Sequence, residues 1–87
     1  MSSTKVIRFT ADWSEPCKEY LEIFLKTIKD YPDIEVQAID IESEDGVEMA
    51  NEYGVTGVPT TIIYKQDEFR VKVGVVPEQE LRESLND

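Results

Sequence analysis

Histidine is absent from this chain of 87 residues, and cysteine occurs once. The lack of histidine excludes Ser-His and Cys-His catalysis and most transition-metal sites. A single cysteine excludes a disulfide within the chain, which suits a reducing compartment such as the cytoplasm. No run approaches the roughly 18 apolar residues of a membrane-spanning helix, and the first residues lack the apolar segment of a signal peptide. These absences predict a cytoplasmic protein that does not cross a membrane.

Basic residues are also few, with nine lysines and arginines against nineteen acidic residues and a net charge of −10. Nucleic acids and anionic membranes both require a cationic surface, so neither is expected as a partner. The acidic segment from Asp40 to Glu48 suggests calcium, but Gly46 falls one position late for an EF-hand loop. We therefore expect no metal, no cofactor and a soluble monomer.

Hydrophobic patterning predicts seven secondary-structure elements. The predicted strands are 5–10, 34–39, 60–65 and 69–73, and the predicted helices are 16–31, 45–53 and a last one that opens at Pro77. The first helix should bury one stripe made of Tyr20, Leu21, Phe24, Leu25 and Ile28. The order β-α-β-α-β-β-α gives a right-handed parallel crossover followed by an antiparallel hairpin. We expect one α/β domain over residues 1–87, with a four-stranded mixed sheet flanked by helices.

Four short motifs stand out along the chain. The first is the hexapeptide Trp13-Ser14-Glu15-Pro16-Cys17-Lys18, and the other three are 9–13, 53–60 and Val73-Gly74. The four resemble motifs of the thioredoxin family and occur in the family's order. The hexapeptide resembles the active site Trp-Cys-x-Pro-Cys-Lys, with serine at the first cysteine. The resemblance covers about residues 5–85 and implies the minimal thioredoxin fold. The predicted elements do not include the strand and helix that come first in most thioredoxins, so one face of the sheet should be less well covered.

The resemblance implies a thiol–disulfide oxidoreductase that acts on protein disulfides. Thioredoxin reductase or the glutathione system would be the electron donor. Cys17 matches the family's resolving cysteine, and Ser14 occupies the position of its attacking cysteine. Because a serine oxygen cannot exchange with a disulfide, we expect this chain to be inactive or strongly impaired. Serine is a good helix N-cap, which would be the structural role of Ser14.

The origin of Ser14 has two explanations. The chain is either an engineered Cys→Ser variant of a Cys-Glu-Pro-Cys parent or a natural protein that lost its nucleophile, and the intact surroundings favour the first. Cys17 likewise is either a small buried residue or a reactive thiol. Two other functions therefore stay open. One is a redox-inactive module that binds proteins, and the other is a monothiol protein that uses Cys17.

The resemblance also implies a substrate groove beside the active site. Its rim would consist of Trp13, Gly57, Val58, Pro59, Gly74 and Val75, with the Val58–Pro59 peptide bond cis. An extended substrate segment could then pair with the Val58 backbone as an added strand. Ordinary core packing is the alternative explanation for Trp13 and Val58.

Two positions depart from the family pattern. Arg8 stands where thioredoxins have a buried aspartate beneath the second cysteine, and Ala38 stands where they have a lysine. We expect the Arg8 side chain to extend out of the less well covered sheet face. The alternative is that its charge stabilises a Cys17 thiolate.

Overall fold

The structure is a computed structural model that describes residues 4–86. Its elements are β1 Lys5–Thr10, α1 Glu15–Ile28, β2 Glu35–Asp40, α2 Glu44–Tyr53, β3 Thr60–Lys65, β4 Glu68–Val73 and α3 Glu78–Asn86. The predicted order is confirmed, and β3 has the predicted bounds. The largest difference is at the end of α1, which stops at Ile28 instead of residue 31.

The four strands form one mixed sheet in the order β2-β1-β3-β4. β1 pairs with β2 in parallel, while β1–β3 and β3–β4 are antiparallel. The predicted fold class, a four-stranded mixed α/β sheet with three helices, is confirmed. Within residues 4–86, no helix is both long enough and apolar enough to span a bilayer.

The sheet has one well-covered face, which we call the α1/α3 face. Successive side chains of a strand point to opposite faces, so the strands supply a separate apolar set to each side. The α1/α3 face buries Val6, Tyr20, Phe24, Ile63, Leu81 and Leu85 in one cluster. Two of the three helices therefore pack on this face.

The opposite face is covered by α2 alone, and we call it the α2 face. Its cluster consists of Ile7, Phe9, Ile39 and Ile62, with Met49, Ala50 and Tyr53 of α2 packed against it. The apolar side chains of β4 on this face stay open to solvent, with Phe69 52%, Val71 45% and Val73 79% exposed. The α2 face is thus the less well covered face that the sequence predicts.

The buried stripe of α1 differs from the predicted one. Leu25 is 56% exposed, so its predicted burial is wrong, whereas Thr27 is fully buried. The stripe is centred on Tyr20 and Phe24, and one residue beyond Phe24 the helix has turned by about 100° away from the sheet. Thr27 tolerates burial because its hydroxyl donates to the Ile23 carbonyl over 2.8 Å.

Two tyrosines on the α2 face give a pH-dependent prediction. The Tyr64 hydroxyl donates to the Tyr53 hydroxyl over 2.8 Å. This hydrogen bond, followed by burial, raises the pKa of Tyr64 to about 12. Since the folded pKa exceeds the unfolded value of about 10, the stabilisation is complete below pH 10 and is lost as pH rises through 10 to 12.

Tyr53→Phe should therefore bring the ionisation of Tyr64 closer to pH 10. It should also flatten the decline of stability between pH 10 and 12. Tyrosinate absorbance and thermal melts across that range measure both effects, and Tyr31→Phe, which removes a solvent-exposed hydroxyl, is the control. An unchanged Tyr64 titration in Tyr53→Phe would contradict the assignment to this hydrogen bond.

Candidate functional site

The predicted motifs meet at one edge of the sheet. In the strand register Phe9 lies opposite Thr60, and Thr60 lies opposite Val73. The loop into α1 leaves β1 at this edge, the segment before β3 enters there, and the loop after β4 leaves there. The Gly74 N–H donates to the Pro59 carbonyl over 2.8 Å, which joins the last two segments directly. Gly74 has φ 85°, a left-handed conformation that glycine adopts without strain.

Ser14 is the N-cap of α1, as the sequence predicts. Its backbone is extended, and its Oγ accepts a hydrogen bond from the Cys17 N–H over 3.3 Å. The Ser14 N–H donates to the Ala11 carbonyl over 3.2 Å, which closes the turn between β1 and the helix. The Ser14 side chain is only 4% exposed. It therefore points into the first helical turn, towards Cys17.

Cys17 lies in the first turn of α1 and is 3% exposed. A thiol reacts with disulfides or alkylating reagents only when they can reach its sulfur. This burial favours the interpretation of Cys17 as a small buried residue over that of a freely reactive thiol.

The rest of the hexapeptide faces solvent. Trp13 is 64% exposed, so core packing does not explain this residue. Pro16 lies in the first turn of α1, where the helix does not need its N–H. Glu15 and Lys18 form a 3.6 Å ion pair with both side chains largely exposed. Such a pair contributes little to stability. It partly offsets the negative charge of Glu15 at the helix start.

The segment before β3 carries three residues of the predicted groove rim, Gly57, Val58 and Pro59. The Val58–Pro59 peptide bond is cis, as predicted. Pro59 is buried, whereas Gly57 is exposed and its carbonyl accepts from the Thr60 hydroxyl over 2.7 Å. Among residues 4–86, neither the N–H nor the C=O of Val58 has a hydrogen-bond partner. Its backbone is therefore available to an added strand.

The predicted rim residues are not equally accessible. Val58 is partly buried against the α2-face cluster, and Val75 is partly buried against the α1/α3-face cluster. Val73, which the sequence analysis did not include, is 79% exposed and precedes Gly74. The alternation of β4 was the available signal, because it places Val73 on the open face with Phe69 and Val71.

Arg8 is not where the sequence analysis placed it. It alternates with Ile7 and lies on the α1/α3 face, so the prediction that it leaves through the less well covered face is wrong. Its Cζ is 5.4 Å from the centroid of the Phe24 ring, and its Nε is buried without a hydrogen-bond partner among residues 4–86. Burial lowers the pKa of Arg8, while the charges of Tyr20 and Cys17 act to raise it.

The Arg8 guanidinium packs over the ring of Phe24, which follows Cys17 by two helical turns. Arg8 and Cys17 nevertheless interact electrostatically across the α1/α3 face. Ala38 pairs directly with Arg8 across β1 and β2 and offers no second charge. Within residues 4–86, no three histidine, cysteine, aspartate or glutamate side chains converge as a metal site would require.

A family model and individual sequence relatives point to the same protein family. The family model named Thioredoxin matches residues 1–87. The chain is similar to a thioredoxin of Mycoplasmoides gallisepticum, with 31% identity over 81 residues that cover 92% of this chain and 79% of that protein. A thioredoxin of Pyropia yezoensis is 30% identical over 82 residues, which cover 93% of this chain and 76% of the relative.

Solved structures agree with the sequence relatives. The structure is similar to mitochondrial thioredoxin 3 from Saccharomyces cerevisiae in its oxidized form, with a TM-score of 0.85 and 27% sequence identity. The superposition covers 100% of this chain and 80% of the yeast protein. Fasciola hepatica thioredoxin gives a TM-score of 0.81 at 27% identity, and the superposition covers 95% of this chain and 78% of that protein. Both cover nearly all of this chain.

Proposed function

Because this chain belongs to the thioredoxin family, we propose that it is a thioredoxin-type thiol–disulfide oxidoreductase that Ser14 leaves catalytically impaired. The observation that carries this proposal is the pairing of positions 14 and 17 in the first turn of α1. The Ser14 Oγ accepts from the Cys17 N–H, so the side chain of position 14 lies beside the residue that carries the only thiol.

The chemistry requires a sulfur at position 14. A thiolate there would attack one sulfur of a substrate disulfide, form a mixed disulfide and release the first substrate thiolate. The Cys17 sulfur would then attack the sulfur at position 14, release the second substrate thiolate and leave a 14–17 disulfide. Two electrons pass to the substrate, and an external dithiol or glutathione restores both thiols. The Ser14 oxygen cannot perform the first step.

The partners that follow are proteins with accessible disulfides, and thioredoxin reductase or the glutathione system as electron donor. The exposed Trp13 and the free backbone of Val58 support binding of an extended substrate segment in the groove. We also propose that the protein works as a monomer in a reducing compartment such as the cytoplasm.

A redox-inactive protein-binding module is the second candidate. The exposed Trp13 and the unpaired Val58 backbone support protein binding, while the attacking sulfur is missing, so binding without electron transfer is compatible with the site. A monothiol protein has less support, because Cys17 is buried at 3% exposure and a partner thiol cannot easily reach it.

The chain with Ser14 is expected to reduce protein disulfides no faster than its own Cys17→Ser variant. The assay follows reduction of a protein disulfide with dithiothreitol or glutathione as electron donor, with both proteins at the same concentration. Equal rates support a silenced oxidoreductase. A clearly faster rate for the chain that keeps Cys17 would contradict the proposal and support the monothiol function.

A further inference from the structure

An apolar pocket continues the groove on the side of α2. It is lined by Ile41, Val47, Ala50 and Val55 together with the polar Asn51 and Thr56, ends at Gly57, and has a volume of about 170 Å³. We call it the α2 pocket. An apolar protein cavity of about 150 Å³ holds a benzene molecule. The α2 pocket is therefore large enough for one aliphatic or aromatic side chain.

The α2 pocket and the Val58 backbone lie within reach of one peptide. Gly57 lines the pocket and directly precedes Val58. Val55 and Val58 are three residues apart, so their Cα atoms are separated by at most about 10 Å. A strand added beside Val58 covers that length with about three residues, at about 3.3 Å for each residue.

Three exposed glutamates lie close in sequence to residues that line the α2 pocket. Glu42 follows Ile41, Glu48 follows Val47, and Glu44 lies one helical turn before Glu48 on α2. None of them forms an ion pair with another described residue. The sequence has no lysine or arginine between Lys29 and Lys65, so no basic side chain of this stretch balances them. The pocket thus combines an apolar floor with an anionic rim.

We propose that the α2 pocket binds an apolar side chain from an extended segment of a partner protein that carries lysine or arginine on both sides of it. The apolar floor selects the central residue, and the anionic rim selects the flanking charges. A second copy of this chain is disfavoured as the occupant, because each copy has a net charge of −10. Only one part of this inference rests on the proposed function, namely that the partner segment belongs to a protein whose disulfide would be reduced.

The test uses the chain as it is, with Ser14, and peptides of about seven residues without cysteine. One peptide has a central leucine between lysines, a second has glutamates in place of the lysines, and a third has glycine in place of the leucine. Trp13 is the only tryptophan, so its fluorescence reports on the groove, and NMR amide shifts of Val47 and Gly57 report on the pocket.

The lysine–leucine peptide is expected to bind at least about tenfold more tightly than either of the other two at low salt. Raising the salt from about 0.01 M to 0.3 M should remove most of the preference over the glutamate peptide, since the screening length falls from about 30 Å to below 8 Å. Equal affinities, or shifts that occur away from the α2 pocket, would overturn the inference.

Two double variants distinguish the effect of the rim carboxylates on peptide affinity from the effect of the protein's net charge. Glu44→Gln with Glu48→Gln should weaken the lysine–leucine peptide about three- to tenfold. Glu22→Gln with Glu83→Gln removes the same charge from exposed positions on α1 and α3 and should change affinity less than about twofold. Equal losses in the two pairs would show an effect of total charge alone and would overturn the inference. Because these measurements involve no electron transfer, their outcome is independent of whether the oxidoreductase proposal holds.

Discussion

Ser14→Cys is expected to raise the rate of protein-disulfide reduction at least about 100-fold over the chain with Ser14. Loss of a nucleophile typically costs several orders of magnitude in rate, and its return restores the missing first step. The first turn of α1 already places position 14 next to Cys17. The measurement is turnover of a protein disulfide coupled to dithiothreitol or to a reductase.

Ser14→Ala is the matched control for this gain. Alanine removes the cap acceptor without adding a thiol, so it should lower stability by about 1 kcal/mol and leave turnover at the background rate. Cysteine is also a weaker cap than serine, so Ser14→Cys should lose stability while it gains activity. Turnover that is equal in the serine and cysteine forms would refute the view that Ser14 silences the site.

Gly46→Ala is expected to destabilise the protein by about 2 kcal/mol or more, although alanine is the better helix former. Helix propensity alone favours alanine by about 1 kcal/mol. A Cβ on Gly46, however, would overlap the Asp40 carbonyl oxygen and lie 2.8 Å from the Ser43 Oγ. Asp40 is fixed by its pairing with Thr10, so the backbone cannot move aside cheaply. Thermal unfolding should show a Tm lower by roughly 8–16 °C.

Gly57→Ala is the control for the clash. A Cβ at Gly57 meets no atom within 4 Å, and its φ is not positive. Its free energy of unfolding should therefore stay within about 0.5 kcal/mol of the starting chain. If Gly46→Ala is as stable as Gly57→Ala, the close contact between α2 and the end of β2 is not as tight as described.

Local patterns were enough to predict the elements and their order. The run of β-branched and aromatic residues at 60–65 was enough to predict the bounds of β3, and the predicted end of α2 at residue 53 is confirmed. Burial within α1 was less predictable. Leu25 is exposed and Thr27 is buried because the neighbouring sheet and α3, which are distant in sequence, decide which side of the helix is covered.

The site was predictable where a motif carried it and not where the packing of separate segments formed it. Ser14 as N-cap follows from its place before Pro16. The sheet face on which the Arg8 side chain lies could be named only once it was known which helices cover each face, so its predicted place on the less well covered face was wrong. The α2 pocket was also missed, because Ile41, Val47 and Val55 come from three different segments.

The hydrogen bond from the Thr61 hydroxyl to the Tyr20 hydroxyl, 2.8 Å long and buried, links the two halves of the site. Tyr20 lies one helical turn after Cys17, and Thr61 lies two residues after Pro59. In the low-dielectric interior such a bond resists displacement more strongly than it would in water. The bond therefore restrains the helix that carries the thiol against the strand that follows Pro59. We expect a partner to bind to a site that is already ordered, so that most of the conformational entropy lost on association is the partner's own.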